Sequence, residues 1–325
     1  MSIAGEFTVP NNSCETPPIC AGCGSAGPLR RCHEVGPWRL FECAACGLVF
    51  LFPLPREQQL AALYDGKYYG RDRRKFVGLA EAAIQALTWW KWRRLRTLIA
   101  PGDRLLDVGC GRGTLVRCAR QAGLEAYGVE RSSSPAHTLP YIFHQDLREC
   151  RFPGGHFQLV VLWHVLEHLD DPAGALQEIH RILKPGGWLS VAVPNFGGAQ
   201  AHASGPDWFH LDLPRHFWHF RSRTLRQMLE HQGFRLASSD TLSLEYDWFG
   251  TLQSWMNRAL GDNNRMYSLL KREEPQPVLQ CLGRVAAAST LALPALASAL
   301  WDAARGEGGT LTVRAQKISP PGTLP

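Results

Sequence analysis

The sequence predicts an α/β protein: a doubly wound, mostly parallel seven-stranded sheet, preceded by a small cysteine-rich ribbon and carrying a helical insertion before its last strand. Three observations carry this expectation. From residue 101 onward, short apolar runs alternate with amphipathic helical stretches, the rhythm of a parallel sheet covered on both faces. The run 105–113, LLDVGCGRG, is an apolar strand ending in an acid and then a loop with glycines at alternate positions. Near the N-terminus, four cysteines fall into two C-x2-C pairs.

The bulk properties fit a folded protein. At 325 residues there is room for one large domain and one small one, and 45% hydrophobic with 20% charged residues is ordinary globular composition. The formal charge of +6 permits an anionic partner without demanding one. The first ten residues, MSIAGEFTVP, have neither a basic n-region nor an apolar h-region, so a cytoplasmic, reducing setting is expected for the ten cysteines.

In chain order, the ribbon is expected over 14–53. Cys20, Cys23, Cys43 and Cys46 form C-x2-C-x19-C-x2-C, each pair followed by a glycine. Two such knuckles supply four thiolates, the closed tetrahedral set that structural Zn2+ prefers. Cys14, Cys32 and His33 are spare candidates. So few residues cannot bury an apolar core, and a metal would substitute for one. Strands are expected at 38–43 and 48–52.

A helical linker or lid is expected over 54–100. Pro53-Leu-Pro55 opens it, Tyr64, Tyr68 and Tyr69 follow, and Phe76, Leu79, Ala83, Leu87 and Trp90 step by three and four along a helix at 76–98. The main domain is expected over 101–318. Its strands are read at 104–108, 126–130, 141–144, 157–162, 188–193, 234–238 and 310–315, and helices at 173–183 and 223–231. The insertion occupies about 245–307. Within it, 285–301 carries no charge, which suits a helical hairpin kinked at Pro294 and covering a pocket, or an interfacial membrane contact.

The glycine loop carries the chemistry. Gly109, Gly111 and Gly113 let the backbone bend and approach a ligand with no Cβ in the way, and the helix start beyond them points free N–H groups at it. The spacing G-x-G-x-G is one residue shorter than the dinucleotide fingerprint, and Asp107 precedes it, an arrangement suited to a cationic ligand. Glu130, ending the second strand, can accept from both ribose hydroxyls of a nucleoside. Here the chain resembles class I S-adenosylmethionine-dependent methyltransferases, which implies the Rossmann-like methyltransferase fold and S-adenosylmethionine as cofactor. The resemblance also implies that Asp146 accepts from the adenine amino group, a turn cap being the alternative, and that Leu147 supplies backbone contact and packing; Trp163 is expected to pack near the adenine or the sulfonium, or simply in the core.

The segment Trp163-His164-Val165-Leu166-Glu167-His168-Leu169-Asp170-Asp171-Pro172 and the later Lys184-Pro185-Gly186-Gly187 are similar to the subgroup that includes ubiquinone-biosynthesis O-methyltransferases. The resemblance spans most of 100–235. It implies methyl transfer to a small molecule, O-methylation first, in a biosynthetic or cell-envelope pathway. The acceptor must lose a proton, and His168, then His164, are the candidate bases. His210, Asp212 and His216 sit in a polar, aromatic loop that reads as a substrate wall. A magnesium site in that loop is not expected, because its carboxylates are not grouped.

Other readings compete. HVLEH also spells H-x-x-E-H, a zinc-protease motif that needs both histidines on one helix face. The basic runs 71–75 and 91–96, interleaved with Trp89, Trp90 and Trp92, could hold phosphates and stack bases, as in an RNA methyltransferase. A non-enzymatic adaptor on a degenerate fold is disfavoured by the intact glycine loop, Glu130 and Asp146.

Overall fold

A computed structural model describes residues 19–20, 22–55, 78–131, 139–271 and 277–318. Tyr64, Tyr68, Tyr69, Phe76 and Cys14 lie outside the described residues.

The N-terminal segment forms a four-stranded antiparallel sheet from β1 (Leu29–Val35), β2 (Trp38–Cys43), β3 (Val49–Leu51) and β9 (Trp218–His219). Sequence reading placed β2 and β3 but missed β1, whose LRRCHEV has no apolar alternation. It is an edge strand held by β2 around the turn at Gly36, whose φ of +56° suits glycine. The pairing of Val49 with His219 and Phe50 with Trp218 joins the ribbon directly to the main domain. The linker reading of 54–100 gave no hint of that direct pairing.

The main sheet has seven strands in the order β10-β11-β8-β7-β4-β5-β6. These are β4 (Arg104–Val108), β5 (Glu125–Val129), β6 (Ile142–Phe143), β7 (Phe157–Trp163), β8 (Leu183–Pro194), β10 (Phe234–Asp240) and β11 (Thr310–Lys317). Only β11 runs antiparallel to its neighbours β8 and β10. Strand alternation splits two cores. Leu105, Ala126, Leu159 and Val161 face one side with α1 (Gly78–Leu95) and α2 (Thr114–Gln121), while Leu106, Val160 and Leu162 face the other with α3 (Pro172–Ile182) and α5 (Ser222–His231). A short α4 (Ala199–Ser204) follows β8. Lys184-Pro-Gly-Gly187 ends α3 as expected, yet these residues already belong to β8.

Among the described side chains of α1, those of residues 86–95, Trp92 and Leu95 are buried and pack against α2, whereas Trp89 and Trp90 are exposed under the guanidinium groups of Arg93 and Arg94. Of the expected apolar face, Leu87 is half-buried and Trp90 is exposed, while the side chains of Leu79 and Ala83 lie outside the described residues. The insertion consists of α6 (Tyr246–Leu260), α7 (Arg265–Lys271) and α8 (Val278–Ala304). The expected hairpin at Pro294 is not formed: α8 is one helix of 27 residues with the proline inside it. A proline removes the hydrogen bond to the carbonyl four residues earlier. Here that carbonyl belongs to Thr290, which is exposed like Pro294, so water can satisfy it and the helix continues.

Candidate functional site

The site lies where β4, β5 and β7 end. The chain leaves β4 at Gly109, where φ is +70° and a Cβ would stand 2.2 Å from Val165 Cγ2. No other residue fits that turn and that contact. Gly111 follows at φ +52° with nothing near its missing Cβ, and its N–H donates to Glu130 Oε2 at 2.9 Å. Gly113 caps α2 in a left-handed conformation and packs toward Ile142. The end of β5 thus ties Glu130 to the loop leaving β4, and both border a cavity of about 780 Å3.

The cavity brings together Gly109, Gly111, Glu130, Trp163, His164, His168, His210, Asp212 and His216 from the residues singled out in the sequence. Asp107, Gly113, Asp146 and Leu147 stand outside its lining. Asp107 is buried beneath the loop, and burial together with the neighbouring Glu130 pushes its carboxyl up to about 8. Asp146 accepts from Arg148 N at 3.0 Å as a turn cap and stands 3.5 Å from the Arg148 guanidinium. Leu147 packs in the core.

The acceptor side is built from two segments. After β7, His164 takes a positive φ of 54° while its N–H donates to Ala192 O at 2.8 Å, a strained turn that sets its ring against Tyr246 with centroids 3.7 Å apart. Burial and then Lys91 push this imidazole down to about 3, so it is uncharged at neutral pH. His168 places Nδ1 2.9 Å from Arg215 O, which fixes the proton on Nδ1 and makes Nε2 the basic nitrogen. The loop 210–216 supplies the rest. His216 Nδ1 lies 2.7 Å from His210 O, His210 Nε2 lies 3.2 Å from Tyr246 O, and Arg215 clasps Asp212 through Nε at 3.1 and 3.0 Å. Burial would raise Asp212, but Arg215 outweighs it and holds the carboxyl well below its ordinary range.

Glu167 was quoted in the sequence motif without a role. It is fully buried, and neither carboxylate oxygen has a hydrogen-bond partner among the described residues. His164 Nδ1 stands 3.3 Å from Oε1 but without hydrogen-bond geometry. One ligand atom each from Glu167, His168 and His216 lie within 4.8 Å of one another, a set able to coordinate a divalent cation. The loop 210–216 has no grouped carboxylates of its own; the fold brings Glu167 to it from the turn after β7. The residues 166–168 form a single tight turn, so the histidine pair of H-x-x-E-H does not share a helix face, as the zinc-protease reading requires.

Residues 285–301 were expected to cover a pocket, and Val285, Ala288, Ser289 and Ala292 do line the cavity; the share of α6 and α7 was not foreseen. Tyr246, Trp248, Phe249, Leu252 and Tyr267 line the far half of the cavity, and Lys91 bridges to Glu245 at 2.5 Å beneath the Trp163 and Tyr246 rings. With Arg94 paired to Asp240 at 3.1 Å in a half-exposed pair, two cations of the basic run 91–96 have acidic partners within the chain.

In the ribbon, Cys20 Sγ lies 3.6 Å from Cys46 Sγ and Cys23 Sγ lies 3.8 Å from Cys43 Sγ. A tetrahedron with zinc–sulfur bonds of about 2.3 Å has edges of about 3.8 Å. The four sulfurs fit that ion. Burial pushes the Cys20 thiol up to about 11 and raises Cys46 as well, whereas at Cys43 burial is outweighed by the backbone N–H groups of Cys46 and Ala45, which draw that thiol down.

Residues 82–239 match the family model described as a methyltransferase domain. The ubiquinone biosynthesis O-methyltransferase of Pseudomonas aeruginosa (strain LESB58) is 31% identical over 106 residues, covering 29% of this chain and 45% of that protein. The 2-methyl-6-phytyl-1,4-hydroquinone methyltransferase of Synechocystis is 30% identical over 195 residues, covering 51% of this chain and 56% of that one. The chain thus spans about half the length of these curated relatives. Among solved structures, the 4+2 cyclase SpnF shares the fold at 21% identity and a TM-score of 0.50, covering 82% of this chain and 98% of that one. Over residues 82–239 the chain is similar to methyltransferase domains, and its seven-stranded sheet has the Rossmann-like fold of such proteins.

Proposed function

We propose that this protein transfers a methyl group from S-adenosylmethionine to a small-molecule acceptor, with oxygen the favoured methyl-accepting atom and carbon or nitrogen as alternatives. The observation that carries the reading is the single cavity that joins the Gly109–Gly111 loop and Glu130 to a wall of histidines. The donor residues suit the cofactor. Glu130 offers a carboxylate for ribose hydroxyls, and the crowding of Asp107 against Glu130 is relieved by a cationic ligand. When bound, the cofactor supplies an electrophilic methyl on a sulfonium, so the protein's task is alignment and proton removal.

The remaining roles follow from position. Trp163 and Tyr246 wall the pocket, and Lys91 stacks against both rings from outside the lining. His168 is the base we assign, because its Nδ1 is held by a backbone carbonyl and its ring faces the cavity. His164, kept neutral by burial, orients Tyr246 rather than taking a proton. His210, Asp212 and His216 form the polar end of the acceptor chamber, with Arg215 locking Asp212 in place. The apolar far half of the cavity selects an acceptor with an apolar portion. The four-cysteine ribbon holds Zn2+ as a structural ion, all four positions being filled by protein.

The test is incubation of purified protein with donor and a panel of phenolic, enolic and amine acceptors, read by mass spectrometry. The reading expects one added methyl on a hydroxylated acceptor. Methylation confined to bulk RNA, with binding that falls steeply with salt, would replace it with the nucleic-acid reading.

A further inference from the structure

Helix α8 is the one helix among the described residues that is long and apolar enough to cross a membrane, and only 11% of its most apolar window is buried. Its outward residues recur at helical spacing along the whole length: Leu279, Leu282, Ala286, Leu293, Ala297 and Trp301. Leu279 is 81% exposed, Leu293 76% and Trp301 65%. Between Val278 and Trp301 the sole charged side chain is Arg284, and it turns inward to donate to Asp262 Oδ1 at 2.7 Å. A surface helix of a globular protein normally places its charges on this face. Here the outer face has none.

The inner face belongs to the cavity. Val285 and Ser289 line the cavity, yet both are exposed, so the cavity opens along α8. Trp248 Nε1 donates to Ala292 O at 2.8 Å and fastens the helix to α6. The helix is therefore held flat on the domain rather than free to insert end-on.

We propose that the outer face of α8 lies on a lipid bilayer and sets the mouth of the cavity at that surface. A second copy of the chain is the rival occupant, and area decides against it. A helix of 27 residues is about 40 Å long and about 10 Å wide, so its face presents about 400 Å2. A stable protein–protein interface needs about 800 Å2 per partner. A bilayer sets no such minimum, and a single apolar face with a tryptophan at one end is the form that interfacial helices take. The protein's formal charge of +6 favours an anionic surface. Docking stands independently of the methyl-transfer reading; the delivery of a bilayer-dissolved acceptor to the cavity rests on it.

The test is flotation of the full-length protein with vesicles of phosphatidylcholine alone and of phosphatidylcholine with phosphatidylglycerol, beside the double variant Leu282→Glu/Leu293→Glu. Neither residue lines the cavity, so binding of S-adenosylhomocysteine by calorimetry reports that the variant is folded. The parent is expected to float with the anionic vesicles, and the variant to lose about tenfold or more of that partitioning. Quenching of Trp301 fluorescence by brominated lipid, measured against Trp301→Phe, should place the ring at the lipid boundary. Equal flotation of parent and variant overturns the proposal. So does failure of the parent to bind either vesicle, and if sedimentation then shows a dimer that the variant dissociates, the face belongs to a second copy. Loss of donor binding in both proteins with flotation intact would fault the functional reading and leave the docking surface standing.

Discussion

Glu167→Gln is expected to make the protein more stable at mildly alkaline pH, although it alters a residue at the heart of the site. The Glu167 carboxylate is fully buried with both oxygens unpartnered among the described residues. Burial pushes its pKa from 4.5 to about 7. His164, 3.3 Å away, is uncharged at neutral pH and does not compensate. In the unfolded chain Glu167 releases its proton near the ordinary value, whereas in the fold it holds the proton up to about 7. The folded state therefore binds more protons between these two values, and stability falls as pH rises through that window. The gap corresponds to about 3 kcal/mol once the pH exceeds both values. Glutamine keeps the shape and has no charge to bury. The variant should match the parent near pH 4.5 and exceed it by up to about 3 kcal/mol at about pH 8, a rise of roughly 5 °C or more in Tm. Urea unfolding at a series of pH values reads this directly. A variant less stable than the parent at pH 8, or a parent whose stability does not fall across the window, would mean that Glu167 is ionised and compensated. The cation responsible would then sit among Glu167, His168 and His216.

Four further outcomes are expected. Glu130→Gln should weaken S-adenosylhomocysteine binding by about 10- to 100-fold in calorimetry, because a charge-assisted acceptor is worth about 1.5–3 kcal/mol, while leaving Tm nearly unchanged. Gly109→Ala forces a Cβ at φ +70° into Val165, costing about 2–4 kcal/mol, and should lower both the urea midpoint and donor affinity. His168→Ala should reduce turnover about 100-fold or more with donor affinity intact, read by steady-state kinetics beside calorimetry. Metal analysis should find one zinc per chain in the parent and none in Cys20→Ser/Cys46→Ser, whose Tm should fall as the ribbon loses its staple.

The main sheet was readable because its chemistry is local. Each strand of the core is an apolar run bounded by turn residues, and the Gly109–Gly113 loop advertises its own geometry. What sequence could not supply was pairing across long separations. The strand Trp218–His219 is two residues long, and nothing in it announces Val49 and Phe50 as partners. Glu167 stood in plain sight between two histidines, but its burial without a partner depends on where the loop 210–216 returns. Trp90 was placed on the apolar face because three rings in four positions satisfy more than one helical face, and it is Trp92 that packs against α2. Pro294 was read as a break because a proline costs a helix most when buried, and sequence does not say that this turn faces outward.

The account rests on a methyl-donor pocket at the end of β4, and isothermal calorimetry with S-adenosylhomocysteine tests it most directly. One molecule should bind per chain, with a matching rise in Tm that Glu130→Gln diminishes. Absence of heat together with an unmoved Tm across buffers would show that the loop and Glu130 hold no such ligand, and the proposed chemistry would fall with it.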